Sequence, residues 1–206
     1  MQVGRVLKVA ALALMLVCAA ALGMFAAGYA LDDPGGWRGV AMVVGCAAVT
    51  AMLAAIAARR ADRAGPVLAV FTLAAIGTAV ADAFSLGPDR NAIGPVGAVT
   101  GCVVAVGLSV LGLRRPTLAG ALLVTLSLAS FGVLLVARGT RPDGPPVSAI
   151  LTSSAGIGLV PVLVVGILFL VAGTLPDAAA PAGPAHERQP TSPGARRGPE
   201  GLHREG

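Results

Sequence analysis

Residues 9–31 read VAALALMLVCAAALGMFAAGYAL, 23 residues without a charge. A helix needs about 20 apolar residues to cross a hydrocarbon core. Arg5 and Lys8 stand just before the run, and Asp32 and Asp33 just after it. Five more runs follow: Gly39 to Ala58, Pro66 to Leu86, Ala92 to Leu113, Thr117 to Ala137 and Val147 to Leu175. None alternates apolar with polar, as barrel strands would. An unpaired backbone amide in lipid costs several kcal/mol, so such runs must be helical. The reading is all-α: a polytopic membrane helical bundle of six transmembrane helices over residues 1–175. The short gaps predict three antiparallel hairpins.

Composition agrees. The chain is 56% hydrophobic and 12% charged, with mean hydropathy +0.84 over 206 residues. A water-soluble core of this length could not hide that much apolar surface. Arg outnumbers Lys fourteen to one. With abundant Ala and Gly, that bias points to a high-GC bacterial genome and a bacterial plasma membrane. The net charge of +5 is not a nucleic-acid signal, because the Arg residues sit at helix ends and in the tail without interleaved aromatics.

The gaps fix an expected orientation. Eleven of the fifteen Lys and Arg residues lie on the side that holds both termini, including Arg59, Arg60, Arg63, Arg114 and Arg115. Four lie opposite: Arg38, Arg90, Arg138 and Arg141. Positive residues favour the cytoplasm, so both termini are expected there. Tyr29 and Trp37 fall at the far end of the first hairpin, where amphipathic rings suit the interface. A cleaved leader is the alternative for the first run, but that run exceeds the usual 7–15-residue apolar core of a signal peptide. Residues 176–206 read Pro, Ala, Gly, Arg and Glu, with Leu202 the only large aliphatic residue. They cannot bury enough apolar area to offset ordering entropy, so a disordered cytoplasmic tail is expected.

Two similarities hint at duplication. Arg59-Arg60-x-x-x-Ala64-Gly65 recurs as Arg114-Arg115-x-x-x-Ala119-Gly120, and Gly45-Cys46 recurs as Gly101-Cys102. The plain alternative is coincidence in a biased composition.

Chemistry-bearing residues are few. Asp82 is the only charge well inside a run. An intramembrane carboxylate is a functional candidate, although its place four residues before Leu86 also allows a simple interfacial group. Thr152, Ser153 and Ser154, followed by Gly156, Gly158 and Pro161, resemble the start of a discontinuous transporter helix. The plain reading is hydroxyls bonded back to their own helix. With Ser85 and Asn91, these groups would line an outward polar vestibule. Gly97 and Gly101, and Ala19, Gly23 and Ala27, have the spacing of close helix contacts.

Cys18, Cys46 and Cys102 form no C-x-x-C pair. Both histidines, His186 and His203, lie in the tail, and residues 1–175 hold no Glu. That composition offers no His-ligated metal, no catalytic triad and no phosphate-cradling loop with Lys. No catalytic residue, cofactor or metal is therefore expected. The expectation is a non-enzymatic membrane protein acting through packing with lipid, a membrane partner or its own copies. A small permease around Asp82 and Thr152, Ser153 and Ser154 is the alternative.

Overall fold

The computed structural model describes residues 3–30, 32, 36–84, 96–140 and 154–175, with only the backbone at Tyr29, Val96, Arg138 and residues 154–157. Among the described residues all six elements are helices: α1 (Val3–Ala30), α2 (Gly36–Arg59), α3 (Ala61–Phe84), α4 (Val96–Gly112), α5 (Pro116–Gly139) and α6 (Ser154–Thr174). By length and composition, α1, α2, α3 and α5 can each cross a membrane. The described apolar parts of α4 and α6, Gly97–Gly112 and Gly158–Thr174, are shorter. The chain is thus a helical, strongly apolar protein of membrane type. The tail, Thr152 and Ser153 lie outside the described residues.

The turns are tight where Arg stands. Only Arg60 separates α2 from α3, and its carbonyl accepts from the amides of Arg63 and Ala64 at 3.0 and 2.9 Å. Between α4 and α5 the amides of Arg114 and Arg115 both donate to the Leu111 carbonyl. Pro116 then opens α5, at the one helical position where a missing amide costs nothing. Gly36 begins α2 with φ of 58°, a conformation that suits a residue without Cβ. The two Arg-Arg motifs pack together here. Arg115 pairs with Asp62, and Ala64 and Ala119 are both fully buried.

The helices are not simply three hairpins side by side. α4 is central, touching all five others, and α2, α3, α5, α6 and α1 surround it in that order. Val104, Ala105, Leu108, Ser109 and Leu111 of α4 are completely buried. Gly107 gives α4 room between its neighbours: a Cβ there would lie 3.1 Å from both Leu53 of α2 and Leu68 of α3. The tightest seam joins α5 to α6, whereas α2 touches α1 and α3 only slightly.

Glycine makes that seam. A Cβ on Gly120 would lie 2.8 Å from the Gly166 carbonyl oxygen. One on Gly166 would lie 3.0 Å from the Val124 amide. Lipid tails are as apolar as Leu, so close backbone approach and dispersion hold such helices together. Ser127 adds an interhelical bond, its hydroxyl donating to the Leu159 carbonyl at 2.9 Å. Thr72 and Ser109 instead bond back to carbonyls one turn earlier, as hydroxyls in apolar helices do.

Two expected contacts are half realised. A Cβ on Gly97 would meet the Ala79 backbone at 3.2 Å, so α3 does come close there. Gly101 and Gly23 have nothing within 4 Å of that position. α6 continues through Pro161 without interruption, so it is not a broken helix there. The repeated Gly-Cys pairs differ in setting: Cys46 is exposed on α2, while Cys102 on α4 is half-buried.

Candidate functional site

Asp82 lies in the last turn of α3, away from the Arg-rich turns, and is half-buried. It lines a cleft between five helices. Ala79 and Asp82 come from α3, Gly97 and Gly101 from α4, and Ser130 from α5. Leu22 of α1 and Gly158 and Val162 of α6 complete the far walls. Each position follows from helix spacing: Ala79 and Asp82 are three residues apart, and Gly97 and Gly101 four, so each pair shares a helix face.

The Asp82 carboxylate lies over Gly97; a Cβ there would stand 3.6 Å from Oδ2. Gly97 thus does two jobs: it lets α3 approach α4, and it leaves space beneath the carboxylate. Gly101 widens the same space. Among the described lining residues the polar groups are the Asp82 carboxylate, the Ser130 hydroxyl and the weakly polar Cys102 thiol. About 60 Å³ of the cleft is accessible to water, room for a few waters. An organic ligand usually needs at least about 300 Å³. A cleft of this size and lining can hold water, a proton or a small cation beside a carboxylate.

Of the residues expected at this site, Asp82 is in it. Thr152, Ser153, Ser85 and Asn91 lie outside the described residues, and only the backbone of Ser154 is described. Arg90 and Arg141 also lie outside, as does the side chain of Arg138. Sequence reasoning missed Ser130. Its signal was present: Leu123, Leu126, Ser127 and Ser130 stand at i, i+3, i+4 and i+7 on one helix face, and all four are buried. Polar residues on such a face point into a bundle rather than to lipid. Among the described residues, no three His, Cys, Asp or Glu side chains gather as metal ligands would.

Comparison with known proteins finds no matching family model, no matching curated relative and no matching solved structure.

Proposed function

We propose that this is a non-enzymatic membrane protein that acts by packing α2 against a helix of a membrane partner, either another protein or a second copy. One observation carries the reading. From Val40 to Val49 every residue of α2 is exposed except Val43, which is half-buried. Ala41, Gly45, Ala48 and Met52 follow one another at four-, three- and four-residue steps, so they form one stripe. It faces away from Leu53 and Ala57, which anchor the helix to the bundle. Nothing lies within 4 Å of a Cβ at Gly45. Lipid accepts any apolar face. A shallow stripe flanked by Val44 on one side and Met42 and Val49 on the other has the shape a partner helix needs.

The wider arrangement that goes with this reading is six spans in a bacterial plasma membrane, with both termini in the cytoplasm. The eleven-to-four partition of Lys and Arg supports it. A C-terminal reporter fusion tests it: activity outside the cell overturns the topology. For the partner, the full chain is extracted in native lipid particles. A complex that contains a second chain is expected, and Gly45→Leu should abolish it while the melting temperature of the protein stays unchanged. A lone wild-type monomer sinks the proposal.

A second reading is a small permease. Asp82 and Ser130 support it, since they share one small cavity. Its size favours a proton or cation over an organic solute. Cation flux into proteoliposomes that Asp82→Asn and Ser153→Ala both leave intact would remove it.

A further inference from the structure

We propose that the cleft at the Arg-rich end of the bundle binds the phosphate headgroup of an anionic phospholipid. The cleft has a volume of about 510 Å³. Three cations line it from separate parts of the chain: Lys8 near the start of α1, and Arg114 and Arg115 in the turn before α5. Among the described residues no acid lines the cleft, and Arg115 also pairs with Asp62. Thr117, exposed in the first turn of α5, adds a hydroxyl. Pro116 has no amide and that of Ala119 donates to the Arg115 carbonyl, which leaves the first-turn amides of Thr117 and Leu118, with their partial positive charge, to favour the same anion. The phosphate would therefore meet Arg114 and Lys8, and share the Arg115 guanidinium with Asp62, with the start of α5 behind them.

The rest of the lining favours a lipid over a dissolved anion. Pro116, Leu118, Ala172 and Leu175 make the flanks apolar. Gly173 keeps the floor low, since a Cβ there would strike Thr117 at 2.5 Å. The cleft also lies where the apolar helices α1, α5 and α6 end, which is headgroup level for helices that span. A diester can put its phosphate among the cations and its glycerol and first methylenes along Leu118 and Leu175. Basic pockets between helices at this level recognise lipid headgroups by these means. None of the α2 residues takes part, so lipid binding here stands or falls separately from the partner reading.

The test is native mass spectrometry of the full chain released from micelles that contain phosphatidylglycerol or phosphatidylcholine. A retained phosphatidylglycerol adduct is expected, with phosphatidylcholine retained less. Removing one cation should weaken it about five-fold. Arg114→Gln is the main variant, because Arg114 is exposed and its loss should not unsettle the fold. Lys8→Gln is the second. Arg59→Gln is the control: it lies at the same end of the bundle but does not line the cleft. Three results overturn the proposal. They are equal weakening by Arg59→Gln, which means diffuse charge; displacement of the lipid by inorganic phosphate, which means a free-anion site; and no preference over phosphatidylcholine.

Discussion

The α5–α6 seam and the free half of α2 are built from the same residues and do opposite things. Both are rich in Gly, Ala and Val. At the seam, Gly120 and Gly166 bring two backbones so close that a methyl group has no place. On α2, Gly45 faces open space. In the most apolar window of α5, 33% of residues are buried, against 11% in that of α2. Small residues in an apolar helix therefore mark a capacity for close approach, and only the neighbour shows whether it is used. That difference is the reason for placing the function on α2, which with the equally exposed α1 is a helix whose capacity remains open.

The largest way to loosen α6, the helix on one side of that seam, is Phe169→Ala. Phe169 is fully buried and covers Gly112, where a Cβ would lie 2.5 Å from its ring. Truncation leaves a cavity between α6 and α4. The expected loss is about 3 kcal/mol, the low end for Phe→Ala, because the unfolded side chain would still sit in lipid. Met42→Ala on α2, where the side chain is half exposed, should stay within about 0.5 kcal/mol. Reversible unfolding in mixed micelles measures both. Equal losses would mean that the bundle holds α2 as firmly as it holds α6.

A subtler pair adds one methyl to each region. Gly120→Ala forces the new carbon against the Gly166 carbonyl and the Leu170 amide, both backbone atoms that cannot rotate away. A cost of about 1–3 kcal/mol is expected. Gly45→Ala meets nothing and gains helix propensity, so it should be neutral or stabilise by up to about 1 kcal/mol. If Gly45→Ala costs as much as Gly120→Ala, the free face of α2 is not free.

This contrast also shows what could be read from the residues alone. The apolar runs were legible, because lipid forces each into a helix whatever its neighbours. Helix ends were less so: α1 begins at Val3 and takes in Arg5 and Lys8, since a helix once started carries polar residues into the interface. Asp82 was legible as a charge in an apolar run. Ser130 was legible only as an inward-facing hydroxyl, because nothing in the run says which neighbour its face meets. The central place of α4 was hidden for the same reason. Apart from the Ser127 and Ser130 face of α5, the runs are apolar nearly all round, and close glycine contacts between distant helices help set the ring around α4. Gly97 and Gly101 share one motif, yet only Gly97 touches the backbone of α3.

The smallest expected effect comes from Asp62→Asn, and it sharpens the comparison from a third side. Asp62 pairs with Arg115 and ties the start of α3 to the start of α5. The pair looks like part of the seam's framework, because it joins the two Arg-Arg turns. Its exposure says otherwise: the side chains are 44% exposed for Arg115 and 90% for Asp62. Water and salt screen such a pair, and holding two mobile side chains costs entropy, so pairs of this kind give about 0–1 kcal/mol. Asp62→Asn should therefore shift unfolding by no more than about 0.5 kcal/mol, and less in high salt. A salt-insensitive loss as large as that of Gly120→Ala would show that the turns, rather than glycine contacts, hold α3 and α5 in place.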